Sequence, residues 1–388
     1  MMTIVFLSNY FNHHQSSFSD ALFNTNGIDY RFIAYESVDA ERAAMGWQTD
    51  HFPEYVLQYH DDPEKCDDFI NNADVVIFGS APARLVEARL KKNKITLAYS
   101  ERIDKIEPGV VKFLKSFVRL NLNYKGRSNA YYLCASAFAS HDITKRLLFK
   151  DRCYKWGYFP KAKKYDDIQS VLELKRSEEV SILFASRLID WKHPELPVKA
   201  AKRLKDDGIK FHLTMIGIGS MEEDIHRMIE EYRLQNEITH IKAMTPEDVR
   251  KHMEQSAVFL FTSDRQEGWG AVLNEAMNSG CAIVASSEIG SVPFLLRNEE
   301  NGYIYQDGNF EEFYRKTKEL CLNREKRERF GFEAYNTIQN VWNAECAAER
   351  LVQLIGDLQD KGASDRFSEG PCSRAEILMD SWFEKHRN

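Results

Sequence analysis

Apolar residues in this chain gather in short blocks separated by longer polar stretches, and the blocks fall into two sets. The first set reads "TIVFLSN" (3–9), "YRFIAY" (30–35), "ADVVIFGS" (73–80), "KITLAYS" (94–100) and "NAYYLCAS" (129–136). The second reads "VSILFASR" (180–187), "KFHLTMIGIGS" (210–220), "EITHIKA" (237–243), "AVFLFTS" (257–263) and "CAIVASS" (281–287). β-branched and aromatic residues dominate each block, and most of the intervening stretches are long enough for a helix. That alternation predicts parallel sheets with helices on both faces. Helices are expected over 16–23, where the serines of "SSFSDALF" can cap, and over 194–207, 221–234 and 246–255.

Two such sets predict two doubly wound α/β domains facing each other across a cleft, with ligands at the carboxyl ends of the strands. The length of 388 residues agrees, because single cores stop growing at about 250–300 residues. Between the sets, "KAKKYDDIQSVLELKRSEEV" (161–180) offers little to a core and is taken as the interdomain connection. The predicted division is 1–158, 159–365, and a tail 366–388 that packs back toward the first domain. No internal repeat or low-complexity segment interrupts this pattern.

Composition narrows the class. Hydrophobic residues make up 43% and charged residues 29%, and no apolar run approaches the ~18 residues of a membrane span. "MMTIVFLSNYFNHHQ" has no basic n-region and reads as a first strand, so the expected location is cytoplasmic. Seven scattered cysteines with no C-x-x-C pair indicate free thiols, neither a disulfide framework nor a zinc site. The net charge of −7 conceals a basic island: residues 84–164 hold 20 Lys and Arg against 6 Asp and Glu. Within it, "GVVKFLKSFVRLNLNYKGR" (109–127) spaces Lys112, Lys115 and Arg119 among apolar residues at helical intervals. Such a helix can lie on the inner face of an anionic membrane as a peripheral contact. The competing reading is a helix whose apolar side packs into the core. Nothing in the chain suggests nucleic-acid binding.

The stretch "SDRQEGWGAVLNEAMNSGCAIVASS" (263–287) concentrates chemistry. It predicts a strand end, a loop, a helix stopped by Gly280, and another strand. Gly268 and Gly270 allow close backbone approach by a ligand, and the N–H groups at the helix start favour an anion. Glu267, before the helix, can accept hydrogen bonds from sugar hydroxyls. Glu275, farther in, can reach a ribose diol. Cations for a diphosphate are offered by "FASRLIDWKHPE", where Arg187 can bind bidentately and Lys192 can act as a point charge. D-x-D does not occur anywhere in the chain, so no metal and no cofactor beyond a nucleotide-sugar substrate is expected.

These residues carry a resemblance. "EGWGAVLNE" fits the E-x7-E pattern of glycosyltransferase family 4, retaining enzymes of the GT-B fold, and "ASRLIDWK", "GIGS" and "ENGYIY" follow in that family's order. "YYLCASAFASHDITKRL" and "EGPCSRA" resemble its bacterial polysaccharide-assembly members. The resemblance implies that Arg187 and Lys192 hold the donor diphosphate while Glu267, Gly268, Trp269 and Gly270 hold the transferred sugar. It places Ala271 and Val272 at the helix start, Glu275 on the ribose, Gly217 in a flanking loop, and Ala243 and Met244 beside the base. Trp269 and the absence of Gly-Gly in "EIGSVPFLL" depart from the family pattern.

For the first domain the resemblance implies acceptor binding. Asn12, His13 and His14 follow the first strand in a loop and are the acceptor candidates. Glu101, in "TLAYSER", is the candidate carboxylate from this domain, with an ion pair to Arg102 or a nearby lysine as the competing account. The implied activity is hexosyl transfer from a UDP or GDP sugar to a glycan or lipid-linked acceptor in surface polysaccharide (capsule or O-antigen) synthesis. It is metal-independent and retaining, with the leaving phosphate taking the acceptor proton. Two rivals stay open: a nucleotide-sugar epimerase of the same architecture, and a catalytically silent partner subunit of a transferase complex.

Overall fold

A computed structural model describes residues 1–37 and 52–385, apart from the side chains of His13 and Lys385. The chain divides into two compact units: Met1–Lys161 with Val341–Met379, and Ala162–Asn340 with the segment from Asp380.

The first unit is built on strands β1 (Met2–Ser8), β2 (Ile28–Ala34), β3 (Val56–Gln58), β4 (Val75–Phe78), β5 (Thr96–Ser100), β6 (Ala130–Cys134) and β7 (Cys153–Lys155). Their order in the sheet is β3-β2-β1-β4-β5-β6-β7, all parallel. The second unit holds β8 (Val180–Ala185), β9 (Phe211–Ile216), β10 (Ile238–Ile241), β11 (Val258–Phe261), β12 (Ala282–Ser286) and β13 (Tyr303–Tyr305). These are also parallel, in the order β10-β9-β8-β11-β12-β13. Each order reverses beside the unit's first strand, the topology that opens a crevice at the strand ends. Strand interiors such as Ile4 to Leu7 and Val258 to Phe261 are buried on both faces, which is why these blocks read as continuous apolar runs. The edge strands β3, β7 and β13 were not foreseen, because three residues carry no periodicity. No helix among the described residues is long and apolar enough to cross a membrane.

Several expectations are corrected. The helix anticipated over 16–23 begins at His13, capped by Asn12, whose side chain accepts from the His14 N–H at 2.9 Å. His13 and His14 therefore lie in a helical first turn, not in a loop. The presumed connection 161–180 contains a helix, Ile168–Leu174, with Ile168, Val171 and Leu172 buried against Tyr335. Lys175 in the same stretch is buried, its ammonium donating to the carbonyls of Met253 and Ser279. The chain returns to the first unit at Val341, well before 366. The reason is the helix Ala344–Lys361, whose Ala347, Ala348, Leu351, Leu354, Ile355 and Leu358 are buried. The tail serves both units. Residues 372–375 pair antiparallel with β7, and Trp382 Nε1 donates to the Ser287 carbonyl of the second unit at 3.0 Å.

In the first unit the basic stretch is a helix, Val110–Tyr124. Its inner side rests on the buried Arg146, which stacks 4.8 Å from the Phe113 ring and donates to Ser116 Oγ at 2.9 Å. Arg146 is in turn held by both oxygens of Asp104, at 3.0 and 2.7 Å. Outward stand Val111, Leu114, Val118 and Leu122, the last 77% exposed, among Lys112, Lys115 and Arg119.

Candidate active site

β8 and β11 are neighbours at the point where the second sheet reverses its order, and both candidate loops leave from their carboxyl ends. After β8 the chain passes Arg187 and makes a short 3-10 turn, Asp190–Lys192, closed by His193 in the left-handed region at φ 49°. After β11 the loop 262–271 leads into the helix Val272–Asn278. The loops are bonded together: Thr262 Oγ1 donates to the Lys192 carbonyl at 2.7 Å, and Asp264 N to the Trp191 carbonyl at 3.0 Å.

This junction brings Lys192 onto Glu267. The ammonium and carboxylate form an ion pair about nine-tenths buried, and Ser263 Oγ donates to the same carboxylate oxygen, Oε2, at 3.0 Å. Lys192 Nζ also lies 4.3 Å from the Trp191 ring centroid, with the exposed Arg187 guanidinium 5.5 Å from that ring. Two cations thus share one aromatic surface. Of the two cations expected from sequence, Lys192 meets Glu267 directly, while Arg187 stands over Trp191. Trp191 itself was not anticipated; the signal was an indole between two basic residues in "RLIDWK".

The glycines have reasons inside the chain. Gly270 has φ +83°, and a Cβ there would stand 2.4 Å from the Phe261 ring. Gly217 has φ +149°, and a Cβ would fall 1.9 Å from the Ser186 carbonyl, so its loop lies directly on the segment leading to Arg187. Gly268 is buried. The Trp269 side chain does not face a ligand space: it is fully buried, and its Nε1 donates to Asn274 Oδ1 at 2.9 Å. Ala271 caps the helix, Val272 opens it, and Ala243 and Met244 follow β10. Burial pushes the Glu275 carboxyl above its ordinary value, with Arg250 partly opposing.

A second acidic group borders the junction. His193 Nδ1 lies 3.2 Å from Glu195 Oε1, and that hydrogen bond raises the imidazole's proton affinity. Ser286 Oγ donates to Asp307 at 3.0 Å, while burial raises the Asp307 carboxyl.

In the first unit, Glu101 accepts from the Tyr158 hydroxyl at 2.6 Å and pairs with Lys105 at 2.5 Å. The ion pair foreseen as the competing account therefore exists, with Lys105 as its cation. Arg102 instead turns inward over the Phe138 ring at 4.7 Å. The His14 ring stacks on Tyr158 at 5.7 Å, so one tyrosine links two acceptor-side candidates that are distant in sequence. Tyr158 was missed because "KWGYFP" reads as packing. Asn12 serves as a helix cap, and the His13 side chain lies outside the described residues.

Residues 167–337 match the family described as Glycosyl transferases group 1. The chain is 28% identical over 172 residues to the poly(ribitol-phosphate) alpha-N-acetylglucosaminyltransferase of Staphylococcus aureus, covering 44% of this chain and 34% of that protein. It is 26% identical over 137 residues to the amylovoran biosynthesis glycosyltransferase AmsK of Erwinia amylovora, covering 34% and 33%. The matched stretch thus spans about a third of the length of these curated relatives. Among solved structures, HepE of Anabaena in complex with UDP and glucose superposes with a TM-score of 0.65 at 13% identity, covering 92% of this chain and 100% of that one. The chain accordingly has the GT-B fold of glycosyltransferases, and its second unit is similar in sequence to the group 1 glycosyl transferases.

Proposed function

We propose that the protein is a retaining, metal-independent glycosyltransferase that moves a hexosyl group from a UDP or GDP sugar to a glycan or lipid-linked acceptor in surface polysaccharide synthesis. The observation that carries this reading is the meeting of Lys192, Glu267 and Arg187 around Trp191 at the reversal point of the second sheet. The similarity to polymer-building transferases supports it.

In this reading the diphosphate draws the Lys192 ammonium toward itself, and Arg187 adds a planar fork of donors. Together they offset the charge that develops as the glycosidic bond breaks. Glu267, released from its cation, accepts hydrogen bonds from the sugar. Glu275 takes the ribose diol. A leaving-phosphate oxygen receives the acceptor proton, so no separate protein base is needed. The acceptor is assigned to the first unit, near the Glu101, Tyr158 and His14 group. The exposed apolar and basic side of Val110–Tyr124 is assigned to an anionic membrane carrying that acceptor, since no acid occurs from 108 to 141.

The experiment is a panel of UDP and GDP sugars incubated with the protein and lipid-linked or polymeric acceptors, with product anomers read by NMR. Acceptor-dependent consumption of one donor with an unchanged anomer is expected. Donor turnover without acceptor, or no binding of either nucleotide, would overturn the assignment.

A further inference from the structure

The helix Glu222–Glu231 and strand β10 bring together three side chains of metal-ligand type. Glu222 and His226, four residues apart, share one face of the helix, and His240 projects from β10. The carboxylate oxygen and ring nitrogens of the three lie within 4.8 Å of one another. His226 Nε2 stands 2.8 Å from His240 Nδ1.

The remaining nitrogen of His240 decides which lone pair is available. His240 Nε2 lies 2.8 Å from the Gly217 carbonyl, which can only accept, so Nε2 carries the proton and Nδ1 is bare. A backbone carbonyl holding one imidazole nitrogen while the other faces outward is the usual support of a metal-bound histidine. His226 then donates its Nε2 proton to His240 Nδ1. Moving that proton to His226 Nδ1, a change of tautomer with no change of charge, frees two nitrogens aimed at one point.

We propose that Glu222, His226 and His240 bind a divalent transition-metal ion, with zinc the natural occupant. Two imidazoles and a carboxylate suit zinc, nickel or cobalt, whereas magnesium and calcium prefer all-oxygen sites. With zinc–nitrogen bonds of about 2.0–2.1 Å, tetrahedral coordination puts the nitrogens roughly 3.3 Å apart, a small widening that the exposed His226 can supply. Lys242, 3.0 Å from Glu222, is the competing cation, and at 73% exposure it can swing into solvent. The ion would tie the helix to β10 and, through His240, to the Gly217 loop that rests on Ser186. It has no part in the transfer chemistry, and its test does not depend on that reading.

The 388-residue chain, purified with chelator, is titrated with Co²⁺ and followed by visible ligand-field absorption, with Zn²⁺ as competitor. One equivalent of Co²⁺ giving a four-coordinate spectrum, displaced by Zn²⁺, is expected. His226→Ala and Glu222→Gln should each weaken binding by at least about tenfold. His226 is exposed, so its replacement leaves the fold intact, as circular dichroism will register. No cobalt spectrum overturns the proposal. Binding undiminished in His226→Ala also overturns it, because the metal then sits elsewhere among the 11 histidines.

Discussion

Lys192 donates to the same oxygen of Glu267 that receives the Ser263 hydroxyl, although the two charged residues are 75 positions apart. The pair is nearly dry, so each partner depends on the other. Lys192→Ala leaves a buried carboxylate with one neutral donor, and loss of one partner of such a pair costs about 3–5 kcal/mol. The double variant Lys192→Ala, Glu267→Gln should recover much of that stability in urea unfolding while remaining without transferase activity. Equal stability of single and double variants would show that the pair does not hold the loops.

Glu275 separates stability from function in the opposite sense. Burial raises its folded proton affinity, so between the ordinary value of 4.5 and the raised one the folded state binds more protons than the unfolded state. Stability therefore falls as pH rises through that window and stays lower above it. Glu275→Gln should melt higher than wild type at about pH 8 and show little difference at about pH 4. It should also bind nucleotide sugar more weakly. Melting curves that superpose at both pH values would contradict the burial argument.

The membrane assignment rests on one helix. Each lysine or arginine at an anionic surface contributes about 1 kcal/mol, so neutralising Lys112, Lys115 and Arg119 removes about 3 kcal/mol, roughly 100-fold in partitioning. Sedimentation with vesicles containing anionic lipid should fall by that order in the triple glutamine variant. Unchanged sedimentation would return the helix to an ordinary solvated role.

The same helix is anchored by Arg146 on Asp104, a pair almost without solvent exposure. Arg146→Leu removes two charged donors from the Asp104 carboxylate and the donor to Ser116. A loss of about 3–5 kcal/mol is expected, read by chemical denaturation. Asp104→Asn should cost less, since the amide oxygen still accepts from the guanidinium. A loss below about 1 kcal/mol for Arg146→Leu would place this network among those of little net worth.

Most strands were legible because buried parallel strands are continuous apolar blocks. The two loops that carry Arg187, Lys192 and Glu267 were legible because several spaced motifs agree. Trp191 and Tyr158 were not, since nothing local distinguishes a site aromatic from a packed one. The return to the first unit at Val341 was hidden for another reason. Arg324–Asn340 and Ala344–Lys361 are consecutive helices with only a short break, and periodicity gives the width of an apolar stripe, not the sheet it covers. The Lys192 ion pair was unreadable as well, because the sequence offers both groups to a ligand and does not say that they meet each other first.

The pairing of residues 372–375 with β7 has a practical consequence. Lys155 exchanges backbone hydrogen bonds with Cys372 and Ser373, and Cys153 accepts from Ala375, so the last strand of the first sheet has no open border. Shortened versions ending before Gly370 would bare a row of unpaired amides and carbonyls. Such versions would be recovered as insoluble aggregate, whatever the state of the Lys192–Glu267 junction in the other unit.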